Sequence, residues 1–173
     1  HLSLQVTGLA IIPSLVLAST SPRRLELLAR IGVTPARISA PEIDESPLKG
    51  ELPRDYVGRL ARSKAEATLR ADHEVVLAGD TTVAVGRRIL EKPVDEADLR
   101  RMMALLSGRR HHVYSGICVV GTDGKFRVRV VDTVVAFKQL TQPEIDAYVA
   151  TGEGMGKAGG YAIQGRAEAF VRF

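Results

Sequence analysis

Two sets of charged residues stand out for the chemistry their types allow: the cations Arg23, Arg24, Lys64 and Lys92, and the carboxylates Glu42, Asp44, Glu45 and Asp80. Guanidinium and ammonium groups neutralise the non-bridging oxygens of a phosphate chain, while carboxylates hold a divalent metal and activate water. Polyphosphate chemistry asks for this combination. The pattern places these residues on loops or at the ends of elements, where a rigid scaffold presents functional groups.

Other constellations fail on spacing or context. Gly154-Met-Gly156-Lys-Ala-Gly159 has the letters of a dinucleotide fingerprint, but it follows a predicted helix and precedes a strand, the reverse of what a βα turn requires. Gly156-Lys157 looks like the end of a Walker A loop, yet Thr151 stands where the first glycine belongs and Ala158 where a hydroxyl must meet magnesium. His73, His111, His112 and Cys118 lack zinc spacing, and a strand puts His111 and His112 on opposite faces. No nucleophile elbow surrounds Ser19, so a set made of Ser19, His112 and Asp80 has no support.

The elements that must position the charged groups follow from periodicity and punctuation. An apolar run from Leu15 ends at Ser19, and Ser21-Pro22 offers an N-cap followed by proline at the first helical position. Arg23 and Arg24 then fall in the first turn of a helix, where the macrodipole disfavours cations and free N–H groups favour an anion. Two solvated arginines are the plain alternative. That helix aligns Leu25, Leu28 and Ala29 and stops at Gly32, and residues 36–40 form a short strand. The proline-rich stretch 41–53, with Glu42, Asp44 and Glu45, reads as an exposed loop.

A helix over about 53–69 carries Val57, Leu60, Ala61, Ala65 and Thr68 on one stripe, with Lys64 on the same face. Lys64 either snorkels at the rim of the core or aims its ammonium at a phosphate. A buried strand over 74–79 is expected to leave Asp80 at its carboxyl end, where open α/β sheets place ligands and where an aspartate also caps turns. Residues 83–90 form a hairpin that leads to Glu91-Lys92-Pro93, and a helix from Asp95 aligns Leu99, Met102, Met103 and Leu106 before Ser107-Gly108. Two long strands, 112–121 and 125–138, meet at a Thr122-Asp123-Gly124 turn, so the sheet is mixed. Thr141-Gln-Pro-Glu144 is a capping box for a short helix with Ile145, Tyr148 and Val149 inside. A glycine-rich segment, 152–165, carries Lys157 and Gln164, and 167–173 begins another strand.

A chain of 173 residues is long enough for one domain with a substantial core. The net charge of +4 admits an acidic small molecule but lacks the basic tracts of a dedicated nucleic-acid binder. With Cys118 as its one cysteine the chain can form no internal disulfide, which fits a reducing compartment and a cytoplasmic location. The apolar segment 9–18 carries Pro13 and no basic flank, and it is too short to span a membrane.

Seven ordered motifs, Ala18-Ser-Thr-Ser-Pro-Arg-Arg-Leu-Glu-Leu-Leu28, Glu42-Ile-Asp-Glu-Ser-Pro47, Leu60-Ala-Arg-Ser-Lys-Ala65, Gly79-Asp-Thr-Thr-Val83, Glu91-Lys-Pro93, Leu106-Ser-Gly-Arg109 and Lys157-Ala-Gly-Gly-Tyr-Ala-Ile-Gln-Gly165, resemble the Maf family of nucleotide pyrophosphatases. The resemblance implies a two-lobed α/β fold like that of the inosine-triphosphate pyrophosphatases. A mixed sheet with flanking helices and a substrate cleft between the lobes go with it. One domain over 15–173 is implied, with 1–14 as an N-terminal extension. Family members continue past the position of Phe173 through a further strand and helix, so the C-terminal portion is expected to be missing here.

The resemblance also implies release of pyrophosphate from a nucleoside triphosphate with a divalent cation, magnesium or manganese. Asp80 matches the family's catalytic base and, with Glu45, its metal-holding carboxylates. Ser19, Arg24, Lys64 and Lys92 match residues around the phosphates, and Arg23, Thr81 and Gln164 match the positions tied to nucleobase choice. The arginine pair looks like the branch acting on dTTP and UTP, with modified pyrimidine nucleotides also open. The 7-methyl-GTP branch usually has tryptophan for the first arginine. Ala78-Gly79-Asp80 departs from the family's usual Gly-Ala-Asp, a small-residue exchange expected to be harmless. The substrate is the expected partner, with no membrane, no nucleic acid and a homodimer left open. A non-catalytic nucleotide- or nucleic-acid-binding regulator of septum formation is the alternative.

Overall fold

The computed structural model describes the backbone of residues 5–7 and 10–12 and the whole of 13–172. Strands β1 (Gln5–Thr7) and β2 (Ala10–Ile12) form a small antiparallel pair with Gln5 opposite Ile12. The main sheet comprises β3 (Ser14–Ala18), β4 (Arg37–Ser39), β5 (Glu74–Val85), β6 (Arg88–Leu90), β7 (Arg110–Val120), β8 (Phe126–Phe137) and β9 (Val171–Arg172). Hydrogen bonds order them β4-β3-β5-β7-β8-β9, with β6 paired to β5 alone. Helices α1 (Pro22–Arg30), α2 (Pro53–Glu66), α3 (Glu96–Leu106) and α4 (Gln142–Ala150) complete the expected mixed α/β fold. Among the described residues no helix is long and apolar enough to cross a membrane.

The chain divides into two compact units. The first takes in the chain up to Glu51 with Asp55–Asp80 and Gly116–Val130. Here β3 is parallel to β4 on one side and to β5 on the other, with Leu17 opposite Ile38 and Leu77. Parallel neighbours need crossover connections, and α1 and α2 supply them. Val16, Ala18, Ala61, Ala65, Val76 and Cys118 form the core of this unit. The Ser21 hydroxyl caps α1 by accepting from Arg24 N–H, but no residue of α1 is fully buried, and its Leu25 is 38% exposed.

The second unit takes in Leu52–Arg54, Thr81–Ser115 and the chain from Val131. Its core joins α3 and α4 through Leu99, Met103, Leu106, Phe137, Tyr148 and Phe170. Asp95 caps α3, and the expected capping box opens α4, with the Thr141 and Glu144 side chains each accepting from the other's backbone N–H. The hairpin also forms, pairing Val83 with Leu90 and Val85 with Arg88 across Gly86-Arg87.

Three expectations are corrected. Strand β5 does not stop at Gly79; it continues to Val85, so Asp80 sits inside a strand. The β-branched run Thr81-Thr82-Val83 sustains the extended chain, and Gly79 marks a close approach rather than a break. Helix α2 ends at Glu66, with the Thr68 hydroxyl donating to the Lys64 carbonyl at 2.8 Å beyond its last turn. The expected strand over 167–173 is mostly a 3₁₀ turn, Arg166–Phe170, and only Val171–Arg172 pair with β8. Ala167 and Phe170 are both buried, and a spacing of three matches the 3₁₀ period instead of strand alternation. Phe173 lies outside the described residues.

Candidate active site

In the first unit the turn from β3 into α1 positions Ser19 and Arg24. Ser19 is buried, and its Oγ accepts from Ser21 N–H at 3.1 Å and from Arg24 NH1 at 3.0 Å. Burial lowers the pKa of the Arg24 guanidinium, and the negative charge of Asp80 opposes that shift. Arg24 is thus a partly desolvated cation, the state in which an anionic ligand gains most.

Space for Arg24 comes from β5. A Cβ added to Gly79 would lie 3.1 Å from Arg24 Nε and 3.4 Å from the Gly116 carbonyl oxygen. The Ala78-Gly79 exchange therefore leaves the bare backbone where the guanidinium lies. The exchange is visible in the sequence, whereas the side chain it accommodates comes from another element.

Helix α2 carries Lys64 to the same region. It packs closely on β7, where a Cβ on Gly116 would come within 2.6 Å of the Val57 carbonyl oxygen. Val57, Leu60, Ala61 and Ala65 are buried on the expected stripe. Lys64 does not snorkel into solvent: Nζ lies 2.8 Å from Asp80 Oδ1 and 3.4 Å from Glu45 Oε1, and its side chain is 15% exposed against 12% for Asp80. Glu45 comes from the proline-rich loop, which is held by side chains. The Tyr56 hydroxyl donates to the Glu45 carbonyl at 2.6 Å and Arg59 NH2 to the Ser46 carbonyl at 3.0 Å. Arg59 also forks onto Glu51, which holds that carboxyl below its usual range.

The first unit thus gathers Ser19, Arg24, Glu45, Lys64 and Asp80. Arg23, by contrast, pairs with Glu26 at 3.5 Å along the helix. Asp44 accepts from Ser46 N–H and shapes the loop, and Glu42 is exposed on it.

The remaining predicted residues belong to the second unit. Thr81 follows Asp80 in β5 and is exposed, Lys92 is exposed just beyond β6, and Gln164 is exposed in the glycine-rich segment. That segment is anchored by side chains whose partners the sequence does not show. The Tyr148 hydroxyl donates to the Gly160 carbonyl at 2.7 Å, and Tyr161 meets His111 Nε2 at 2.5 Å. His111 is fully buried, its rings edge-on to Phe137 and Tyr161, and desolvation with the neighbouring His112 lowers its pKa to about 4. Strand alternation had separated His111 from His112, yet nothing in one sequence showed that His111 would meet Tyr161.

Glu45 and Asp80, converging on one ammonium, form the donor set that suits a hard divalent cation. Magnesium is commonly held by one or two carboxylates, with waters and substrate phosphates filling the shell. Among the described residues no group of three or more His, Cys, Asp or Glu side chains is arranged to hold a metal. Two carboxylates are the number that would serve a metal completed by substrate phosphates and water.

The family model described as "Maf-like protein" matches residues 14–173. A dTTP/UTP pyrophosphatase of Sphingopyxis alaskensis is 83% identical over 161 residues, covering 93% of this chain and 85% of the relative. A protein of the same name from Novosphingobium aromaticivorans is 58% identical, covering 91% and 79%. The solved structure of a HAM1 protein from Coxiella burnetii is 16% identical with a TM-score of 0.49, covering 76% of each chain. The span of the family model and the identity to these relatives show that this chain belongs to the Maf-like protein family.

Proposed function

We propose that this protein is a nucleoside triphosphate pyrophosphatase that hydrolyses dTTP and UTP to the monophosphate and pyrophosphate. The observation that carries the reading is the contact of Lys64 with both Asp80 and Glu45, in the unit that also holds the desolvated Arg24 on Ser19. The relatives' name supports the same reaction and favours turnover over a non-catalytic regulator.

Arg24 and Lys64 bind phosphate oxygens, and Lys92 takes the same role by its Glu-Lys-Pro motif. Ser19 Oγ orients the Arg24 guanidinium. Asp80 accepts the proton of a water whose oxygen bonds to the α-phosphorus. The bond from that phosphorus to the bridging oxygen breaks, and the electron pair leaves with pyrophosphate. Lys64 Nζ holds the Asp80 carboxylate in place through its contact with Oδ1. Glu45 and Asp80 would hold a magnesium or manganese ion, which supplies positive charge for the phosphate oxygens when bound.

Base choice falls to Gln164, Arg23 and Thr81. Uracil and thymine share a carbonyl, imide N–H, carbonyl edge, which a glutamine reads by donating and accepting together. Cytosine presents an amino group and a bare ring nitrogen. The thymine methyl is worth about 1–3 kcal/mol in a pocket, so both bases are used. The buried thiol of Cys118 suits a reducing cytoplasm. A homodimer is compatible with this reading, and sedimentation decides it.

Pyrophosphate release is measured for dTTP, UTP, CTP, GTP and 7-methyl-GTP with magnesium, manganese or chelator. Selective turnover of dTTP and UTP that stops on chelation is expected. Equal or better activity on CTP or 7-methyl-GTP overturns the assignment of substrate, and binding of every nucleotide without turnover overturns the enzyme.

A further inference from the structure

Gln164 occupies a defined corner of the backbone. Gly165 N–H donates to the Ala162 carbonyl at 3.0 Å, so residues 162–165 close a turn with Ile163 and Gln164 at its centre. On the N-terminal side the turn is tied down by Tyr161 on His111. On the C-terminal side a carboxylate ties it: Glu153 Oε2 accepts from Arg166 N–H at 2.9 Å. Glu153 itself is fixed, since its backbone N–H donates to Thr151 Oγ1 at 3.1 Å and its carbonyl accepts from Lys157 Nζ at 2.5 Å.

The carboxylate also presses on the turn. A Cβ on Gly165 would lie 2.6 Å from Glu153 Oε1 and 2.7 Å from Oε2. Gly165 has φ −95°, which any residue adopts, so its missing side chain serves this approach and not the backbone conformation. A charge-assisted bond to a backbone N–H is among the stronger hydrogen bonds, and here it falls two residues after Gln164.

We infer that Glu153 is a positioning residue for nucleobase discrimination, holding the turn that presents Gln164 through Arg166 N–H and Gly165. The inference rests on the proposed base-reading role of Gln164 and adds the residue that fixes its aim. A glutamine amide discriminates only if its donor and acceptor are held in register with the base. Release of one end of the turn therefore costs selectivity while leaving the hydrolytic groups of the first unit in place.

The test compares Glu153→Ala, Glu153→Gln and Gln164→Ala with the unaltered protein, using kcat and KM for UTP, dTTP and CTP. Glu153→Ala is expected to raise KM for UTP and dTTP about tenfold, to leave kcat within about threefold and to lower the UTP-to-CTP ratio of kcat/KM correspondingly. Glu153→Gln keeps a carbonyl oxygen for Arg166 N–H and is expected to restore the ratio to within about threefold. A merely structural role predicts a different pattern, with kcat falling equally for all three nucleotides. If Glu153→Ala does not fold by circular dichroism, Glu153→Asp, which retains charge but shortens the reach, is read in its place.

The ratio unchanged in the Glu153 variant but lost in Gln164→Ala overturns the positioning role and leaves the base-reading role standing. The ratio lost in the Glu153 variant but kept in Gln164→Ala overturns the inference, since Gln164 is then not the group whose aim Glu153 fixes. Both unchanged overturns both.

Discussion

Lys64 Nζ lies 2.8 Å from Asp80 Oδ1, linking an otherwise apolar helix stripe to the middle of strand β5. Breaking a mostly buried ion pair by removing one partner is destabilising, and here each member has a further charged neighbour that lessens the cost. Glu45 at 3.4 Å from the same nitrogen gives the ammonium a second partner. Arg24 likewise feels the charge of Asp80, and each member of the pair yields its own prediction.

Asp80→Asn removes the proposed base, while Lys64 retains Glu45. The rate of pyrophosphate release from UTP is expected to fall by at least ~100-fold, the scale for a lost general base. Nucleotide binding, followed by calorimetry, stays within about tenfold. Near-normal turnover would remove Asp80 from the chemistry.

Lys64→Met keeps much of the stem's volume but removes the ammonium that meets both Asp80 and Glu45. The phosphates lose one proposed cationic contact and Asp80 the group that holds it, so kcat/KM for UTP is expected to fall at least ~10-fold with the fold intact by circular dichroism. Unchanged kinetics would show that Lys64 acts on neither Asp80 nor the phosphates.

Gly79→Ala tests the room made for Arg24. The added methyl meets Nε at 3.1 Å, so the guanidinium must shift by a few tenths of an ångström and its bond to Ser19 weakens. KM for UTP should rise several-fold with kcat much less affected, while the melting temperature changes little. An unchanged KM would show that the docked position of Arg24 does not matter for binding.

His111 ties stability to pH. Its folded-state pKa is lowered from 6.5 to about 4, so between these values the unfolded chain binds a proton that the folded chain does not. Stability is full above pH 6.5 and falls as the pH drops toward 4, with this group contributing about 3 kcal/mol over the window. Urea denaturation at pH 7 and pH 4.5 measures the slope. His111→Phe, which keeps a ring against Phe137, should flatten it, and a slope equal to the parent's would refute the assignment.

Much of the first unit was legible because its signals are local. Ser21-Pro22 announced the start of α1, and the stripe on α2 placed Lys64 on the inward face, leaving only rim or site to decide. The loop carboxylates were legible as chemistry, though not which of them would reach Lys64. That choice depends on Tyr56 and Arg59 holding the loop backbone, contacts made across a helix that periodicity does not describe. Asp80 was expected at a strand end but lies inside β5, because Gly79 mimics a strand end when only a side chain from another element explains it. The turn around Gln164 was least legible. Its anchors, Tyr148, Glu153 and His111, act through single hydrogen bonds to partners 12, 13 and 50 residues away, and strands, helices and glycine runs leave no trace of such pairings.

Cys118 gives the protein an internal clock. It is fully buried in the core of the first unit, and desolvation raises the pKa of its thiol. A thiolate-selective reagent therefore meets neither an accessible nor an ionised sulfur while the core is closed. With one cysteine in the chain, every labelling event records one opening of that core, free of background from other thiols. The ratio of this rate to that of an unfolded thiol reads the free energy of opening directly under native conditions. Repeating it with saturating nucleotide reports how far substrate binding tightens the unit that holds Lys64 and Asp80.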